Sequence, residues 1–302
     1  MGLEEREWRN LLRHVRTGRC TPVIGAGASA GLVPGAGSLA KKWAKEYEYP
    51  LADDADLARV SQYVALTDYR ARPKEMMVEQ LEKLGDPDLR STPYPYLAQL
   101  PFSLYITTNY DDLIERSLSL AKSPKADYCR WNEFEVVAAE EPPGRHHEPS
   151  VAQPLVYHLH GQAKWLDTLV LTEEDYLDFL ISAAETSQRQ SDFLRPDIRA
   201  ALAGSSLLFI GYRLSDWTFR VLFRGLMRSI RANLGVPSVA IQLVPDNNEV
   251  VPGRLPEAQD YLQKYLGRLH GVDTLSMYWG NATEFAQELL KRWKAEVDHG
   301  GA

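Results

Sequence analysis

Residues Thr21–Gly31 read TPVIGAGASAG, and this stretch decides the fold class. Its first residues suit a buried strand, which runs into Gly25 and Gly27 and then into small residues. Glycines at such a turn let backbone amides approach a phosphate, and a following helix N-terminus adds a positive dipole. Gly31 comes one position late for the G-x-G-x-x-G fingerprint, and no acidic residue ends a clear second strand about 20 residues on. A tight turn in which the glycines serve packing alone remains the alternative.

Short apolar runs separated by amphipathic helical patterns recur along the chain. Strands are predicted near Pro22–Gly25, Phe102–Thr107, Leu155–Leu159, Ser206–Gly211, Ser238–Val244 and Thr274–Trp279. Several runs, such as SLLFIG and SVAIQLV, are almost continuously apolar, which is typical of strands buried on both faces. We predict a Rossmann-like, doubly wound α/β fold with a mainly parallel sheet of about six strands and helical insertions.

Two segments do not fit the alternation of strands and helices. Residues 51–100 read as helices with proline-rich ends, and residues 173–204 also read as helical. We interpret the first as an insertion after the first βα unit and the second as a further helical excursion. The sequence contains no internal repeat and no extended low-complexity tract, so we predict one domain over residues 1–302.

Composition excludes several classes of protein. The chain has 302 residues, a net charge of −7, 44% hydrophobic and 25% charged residues, which excludes a disordered chain, a collagen-like repeat and a coiled-coil rod. The acidic balance argues against direct nucleic-acid binding. Cys20 and Cys129 are too few for a disulfide framework or a four-cysteine zinc site. No apolar run approaches the roughly 18 residues of a membrane helix, and the N-terminus is no signal peptide, so we expect a cytoplasmic protein.

Polar side chains follow the second predicted strand in YITTNYDDLIERSL, residues 105–118. Asn109 and Asp111 lie where a helix begins, so either residue could serve only as a helix cap. Ligands, however, bind at the carboxyl edge of an open α/β sheet. Both side chains are therefore candidates to hydrogen-bond a ribose.

Two histidines mark the third element, LVYHLHGQAKW, residues 155–165. His158 and His160 alternate with apolar residues, so we expect them on the same side of the strand. His160 precedes Gly161 at the carboxyl end of that strand. A structural histidine is the alternative, and we expect no metal site because no third ligand is suitably spaced.

The fourth element, LLFIGYRLSDWTFRVLFRGL, ends another strand at Gly211. Arg220, Arg224 and Arg228 then repeat every four residues along one predicted helix face. That face is either solvated or a surface for an anionic partner.

In the order GAGAS, TTNYD, HLHG and GYRLSD, each at the end of a strand, the chain resembles the sirtuin (silent information regulator) family. The resemblance covers about residues 21–293 and is greatest to a bacterial branch found in anti-phage defence proteins. The segment MYWGNATEFAQELL also resembles the sirtuin ending, where a turn after the last strand approaches the adenosine. The resemblance implies one sirtuin-like, NAD-binding domain.

The resemblance also implies roles for single residues. Asn109 and Asp111 match the family's polar pair beside the nicotinamide ribose and the attacking water, and His160 matches its catalytic histidine. Arg213 stands where a serine is usual, and its guanidinium either contacts an NAD phosphate directly or points elsewhere. The NAD-contacting positions implied are Gly25, Ala26, Gly27, Ser29, Thr108, Gly161, Gly211, Arg213, Gly280 and Asn281.

Sirtuins use NAD to remove acyl groups from lysine with the help of a zinc module, whose four cysteines are absent here. We therefore expect no zinc, with NAD as the substrate and water as the acceptor. The resulting hypothesis is an NAD glycohydrolase that forms nicotinamide and ADP-ribose and depletes NAD in anti-phage defence. A module that binds NAD or ADP-ribose without turnover is one alternative, and an NAD-dependent deacylase or ADP-ribosyltransferase is another.

Because NAD depletion harms the host, we expect the activity of this protein to be gated. Gating predicts a homo-oligomer and a separate sensor or ATPase partner, since the chain leaves little room for a further domain. The amphipathic N-terminal segment, with Trp8, Leu11, Leu12 and Val15 on one side, is either an assembly surface or a helix that packs on its own domain.

Overall fold

The predicted strands form one parallel sheet in a computed structural model that describes residues 2–132, 141–185, 194–212, 238–242, 251–269 and 275–300. Within these residues the sheet has seven strands in the order β3-β4-β2-β1-β5-β6-β7, and every pairing is parallel. The strands are β1 Cys20–Ile24, β2 Leu104–Thr107, β3 Lys125–Tyr128, β4 Leu155–His158, β5 Ser206–Tyr212, β6 Ser238–Gln242 and β7 Leu275–Trp279.

Helices lie between and around the strands. The α-helices of the described residues are α1 Glu5–Arg16, α2 Ala36–Glu46, α3 Leu57–Thr67, α4 Arg72–Glu82, α5 Tyr94–Ala98, α6 Leu113–Leu118, α7 Glu173–Glu185, α8 Pro196–Gly204, α9 Leu255–Leu269 and α10 Ala282–Gly300. Short 3-10 turns occur at Ala26–Ser29, Leu89–Ser91 and Leu166–Thr168. In this part of the chain no helix combines the length and the apolar character needed to cross a membrane.

The Rossmann-like α/β prediction is confirmed, although the strand number is seven rather than about six. All six predicted strands are present, and the missed strand is β3, which pairs only with β4 at the edge of the sheet. Its four residues, KADY, include two charged side chains and lack the apolar run that marked the others. Lys125 is half-buried, and the fully buried Asp127 carboxylate is paired with Arg130 (3.1 Å) and Arg195 (3.2 Å), which compensates its charge.

Strand β1 lies at the centre of the sheet, between β2 and β5. From β1 the chain proceeds to β2, β3 and β4 on one side, and then returns to β5, β6 and β7 on the other. The strand order therefore reverses between β1 and β5. In open α/β sheets this reversal creates a crevice at the carboxyl ends of the strands, where ligands bind.

Both faces of the sheet are covered. One face packs against α1, α5, α6 and α10, and its fully buried residues include Ile24, Tyr105 and Ile210. The opposite face packs against α7, α8 and α9. This two-sided burial explains why the strand sequences are almost continuously apolar.

Helices α2, α3 and α4 build a third cluster away from the sheet, around Trp43, Val60 and Val64. The segment predicted as one helical insertion, residues 51–100, is thus divided in its packing. Helices α3 and α4 join the third cluster, whereas α5 lies on the sheet through Tyr94 and Leu97. The assignment of residues 1–302 to a single domain remains a prediction.

Candidate NAD site

The glycine turn after β1 approaches the end of β5 so closely that side chains are excluded. A Cβ atom on Gly25 would lie 2.7 Å from the Tyr212 ring, and one on Gly27 would lie 2.7 Å from the Gly211 carbonyl oxygen. The backbone N–H of Gly25 donates to the Ile210 carbonyl (2.8 Å). Close packing therefore requires glycine at both positions. Ala26 is exposed and Gly27 is half-buried, so part of the turn lies at the surface.

Gly211 closes the other side of this crevice. Its φ of +76° favours glycine, and a Cβ atom there would lie 2.2 Å from the Ala28 nitrogen. The following Tyr212 hydroxyl donates to the Ile24 carbonyl (2.9 Å), so the Thr108 hydroxyl donates to the Tyr212 oxygen (3.1 Å). Gly25 and Thr108 thus meet at the Tyr212 side chain, and Gly27 meets the preceding Gly211.

Three predicted residues from two separate motifs form one buried hydrogen-bonded cluster. The Asn109 amide Nδ2 lies 3.3 Å from Ser29 Oγ, and Ser29 Oγ lies 3.3 Å from Asp111 Oδ2. Tyr94, from α5, completes the cluster with its hydroxyl 2.6 Å from Ser29 Oγ and 3.2 Å from Asn109 Nδ2. The structure therefore brings Ser29, Asn109 and Asp111 together.

Asp111 combines burial with access to a cavity. Burial raises the pKa of its carboxyl to about 6, with a smaller contribution from Glu115. Its Oδ1 accepts the Leu113 backbone N–H (3.1 Å), which starts α6. Asp111 also lines a cavity of about 250 Å³, together with Tyr110, Gln162 and residues of α4.

His158 is a structural partner of this cluster. Its Nδ1 lies 3.0 Å from the Asn109 carbonyl oxygen and its Nε2 lies 2.6 Å from Glu115 Oε1, which also accepts from Gln162 (2.7 Å). Burial opposes the charged imidazole, but the Glu115 carboxylate, the Asn109 carbonyl and Asp111 together outweigh burial and raise the pKa of His158. Because a carbonyl oxygen only accepts, the His158 Nδ1–H donates to the Asn109 carbonyl, and this hydrogen bond fixes the backbone of Asn109.

The expectation that His158 and His160 share one side of the strand is wrong. Strand β4 ends at His158, and His160 lies in the following turn. His158 contacts Glu115 of α6, whereas His160 lies edge-on to Tyr176 and Phe179 of α7. Because α6 and α7 pack on opposite faces of the sheet, the alternation of the strand does not extend to His160.

His160 is buried in apolar surroundings. Burial lowers the pKa of its imidazole to about 3, and its Nε2 has no hydrogen-bond partner among the described residues. Gly161 follows with φ +80°, and a Cβ atom there would lie 2.2 Å from the Thr168 carbonyl oxygen. In the part of the chain that the structure describes, no hydrogen bond joins His160 to Asn109 or Asp111.

The remaining predicted positions lie elsewhere. Gly280 and Asn281 follow β7 at the edge of the sheet, and Asn281 Oδ1 accepts the Thr283 backbone N–H (2.7 Å) at the start of α10. Arg213 lies outside the described residues, as do Arg220, Arg224 and Arg228. Among the residues that are described, no group of three or more His, Cys, Asp or Glu side chains could hold a metal ion.

Sequence reasoning missed Tyr94, Glu115, Gln162 and Tyr212. Tyr94 lies in STPYPYL within the predicted insertion, where no motif distinguishes one tyrosine from the next. Tyr212 directly follows Gly211 in GYRLSD, so its proximity to the predicted glycines was the one available signal.

Comparison with known proteins identifies the family of this chain. A family model described as SIR2-like domain matches residues 103–267, which is 165 of the 302 residues. The chain belongs to the SIR2-like domain family. This membership confirms the resemblance to sirtuins that the four ordered motifs predict.

Two curated relatives of this SIR2-like chain are both named NAD(+) hydrolase ThsA. The protein from Cytobacillus dafuensis is 29% identical over 211 residues, covering 69% of this chain and 38% of the relative. The protein from Acinetobacter baumannii (strain 532279) is 24% identical over 283 residues, covering 89% and 53%. The chain thus spans about half or less of the length of these relatives.

Proposed function

We propose that this SIR2-like chain hydrolyses NAD to nicotinamide and ADP-ribose. The observation that carries the proposal is the Ser29–Asn109–Asp111 cluster, which joins two motifs of the family beside the glycine turn. The names of the two relatives support the same chemistry, since both are called NAD(+) hydrolases. NAD is accordingly proposed as a substrate, without a metal.

The reaction breaks the bond between nicotinamide N1 and C1′ of its ribose. The electron pair of that bond goes to N1, so a cationic ring leaves as neutral nicotinamide and little acid catalysis is needed. A water oxygen bonds to C1′ and releases one proton. Asn109 would position this water, and the Asp111 carboxylate would stabilise the positive charge that develops on the ribose.

His160 would accept a hydrogen bond from a ribose hydroxyl or from the water. An imidazole whose pKa lies near 3 is neutral at pH 7 and therefore presents a lone pair. A general-base role for His160 is the alternative, and burial, which lowers the pKa of the imidazole, favours the hydrogen-bonding role.

The nucleotide would extend from this cluster along the crevice between β1 and β5. We propose that Gly25, Ala26 and Gly27 hold the diphosphate and that Ser29 lies beside the nicotinamide ribose. The further contacts proposed are Thr108, Gly161, Gly211, Arg213, Gly280 and Asn281, of which the last two would approach the adenosine.

We further propose a cellular role: a cytoplasmic effector that depletes NAD in anti-phage defence, as a homo-oligomer gated by a separate sensor or ATPase. The support is the resemblance to the defence branch of the family and the harm that NAD loss causes. Light scattering of the purified protein tests the assembly, and a single subunit at micromolar concentration would contradict it.

The deciding experiment quantifies NAD, nicotinamide and ADP-ribose with the purified protein. We expect equal amounts of both products from the wild type and a loss of at least about 100-fold in Asn109→Ala and His160→Ala. His146→Ala, at an exposed histidine, is the matched control and should keep wild-type turnover.

Each alternative predicts a different result. NAD binding without nicotinamide release indicates a binding module, and turnover that requires an acyl-peptide or a protein acceptor indicates a deacylase or an ADP-ribosyltransferase. Wild-type turnover in both Asn109→Ala and His160→Ala would contradict the proposed site.

A further inference from the structure

The nitrogen of the Asn109 carboxamide has hydrogen-bond partners, whereas its oxygen has none among the described residues. Its Nδ2 lies within hydrogen-bond distance of the Ser29 and Tyr94 hydroxyl oxygens, at 3.3 and 3.2 Å. Its Oδ1 is buried and has no partner among the described residues. The Asn109 side chain is thus held from one side only.

The order of protons in the cluster follows from what each group can donate. An ionised Asp111 only accepts, so Ser29 gives its single hydroxyl proton to Asp111 Oδ2. Tyr94 must then donate its proton to Ser29 Oγ across the 2.6 Å contact. With both hydroxyl protons committed, neither hydroxyl can donate to an amide oxygen.

The two hydroxyl oxygens can therefore only accept from Asn109, which requires the nitrogen end of the carboxamide to face them. We infer that Tyr94 is a positioning residue which, with Ser29, holds the Asn109 carboxamide so that Oδ1 faces the reacting water. The inference rests on the proposed hydrolysis, in which Asn109 positions that water. Tyr94 acts through Ser29 and Asn109, the two side chains that its hydroxyl contacts.

This role differs from that of a tyrosine that merely fills the core. Tyr94 is fully buried on α5, and its ring belongs to the cluster under one face of the sheet. Phenylalanine would keep the ring and remove only the hydroxyl. Ser29 would then be the one remaining acceptor for Asn109 Nδ2, and rotation of the carboxamide by half a turn would cost less.

Tyr105 provides a matched control. It is also fully buried, and its hydroxyl donates to the Leu97 carbonyl (3.0 Å) rather than to the site. Tyr94→Phe and Tyr105→Phe each remove one buried hydroxyl and one donated hydrogen bond. A purely structural role predicts the same consequences for both variants.

The test compares both variants with wild type at pH 8, where Asp111 is ionised. For Tyr94→Phe we expect kcat to fall about three- to tenfold with KM within about twofold, and for Tyr105→Phe neither constant should change. Equal kcat values for the two variants, or a rise in KM alone, would overturn the inference.

A second measurement does not depend on turnover. In protein labelled with 15N-asparagine, both Asn109 Nδ2 hydrogens should exchange slowly, and one should exchange faster in Tyr94→Phe but not in Tyr105→Phe. Unchanged exchange in Tyr94→Phe overturns the inference. Absence of nicotinamide release by wild type would instead contradict the proposed function, while the exchange rates still decide the orientation of the carboxamide.

Discussion

Asp111 is a buried carboxyl group kept at a cost to stability. Burial raises its pKa to about 6 from the ordinary 3.8, since the interior disfavours the ionised form. Glu115 adds to this rise, whereas the Leu113 N–H, His158 and Ser29 oppose it. A raised carboxyl pKa means that the folded state loses stability as the pH rises from about 4 to 6, because the unfolded chain ionises first.

We therefore predict that Asp111→Asn stabilises the protein while abolishing turnover. At pH 8 the gain in the free energy of unfolding should approach about 3 kcal/mol, which is two pKa units, and at pH 4 it should fall to about 0.5 kcal/mol. Urea unfolding at both pH values measures it. Asp112→Asn, at the exposed neighbour, is the control and should show no such pH-dependent gain. A gain that is the same at pH 4 and pH 8 would contradict the argument.

At the scale of single residues, the sequence could predict the polar members of the site but not the residues that hold them in place. Asn109 and Asp111 follow a strand by two and four residues, so the topology alone brings them to the carboxyl edge of the sheet. Tyr94 reaches the same place from α5, at a separation of 65 residues from Ser29. Such a long-range contact depends on helix packing, which carries no periodic signal in the sequence.

At the scale of elements, α4 and α7 are joined by a buried ion pair. Lys74 Nζ lies 3.1 Å from Asp175 Oδ1, with only 9% and 6% of the side chains exposed, and 5.5 Å from the centre of the Trp131 ring. Asp175 Oδ2 also accepts the backbone N–H groups of Leu171 and Thr172 before α7. This pair connects the α2–α4 cluster to the helix that covers His160.

Removing one partner of this pair leaves a buried charge without compensation. We predict that Lys74→Met lowers the free energy of unfolding by about 3–5 kcal/mol, and that Lys74→Met/Asp175→Asn is more stable than this single variant. Lys264→Met, in the exposed Lys264–Asp260 pair, should cost less than about 1 kcal/mol. Urea unfolding measures all three. A double variant less stable than Lys74→Met would show that packing, not charge, dominates.

At the scale of elements, sequence patterns predicted most strands but not β3 or the direction of the His160 side chain. Apolar runs predicted the six longer or more central strands because burial on both faces leaves a compositional signal. Strand β3 has two charged residues among its four and therefore lacks this compositional signal. His160 was placed by extending the alternation of β4 two residues beyond its end, where the turn at Gly161 reverses the direction of the side chain.

At the scale of the whole molecule, the first and last helices pack together. Trp8 of α1 stacks on Phe285 of α10 with ring centres 5.2 Å apart, and the Arg292 guanidinium lies 4.9 Å above the Trp8 ring. Arg292 also pairs with Glu5. The apolar face of α1 is thus buried within its own chain, which is the second of the two roles considered for this segment.

This burial distinguishes a folding role of α1 from an assembly role. Trp8→Ala should lower the free energy of unfolding by about 3–5 kcal/mol, because it removes a large side chain from a packed cluster, and the number of subunits should stay that of the wild type. Arg9→Ala, on the exposed face of the same helix, is the control for both properties. Urea unfolding and light scattering on the same samples decide the question. A change in subunit number with an unaltered urea midpoint would assign the Trp8 face to an interface between copies, and the packing of α1 on α10 would then have to open during assembly.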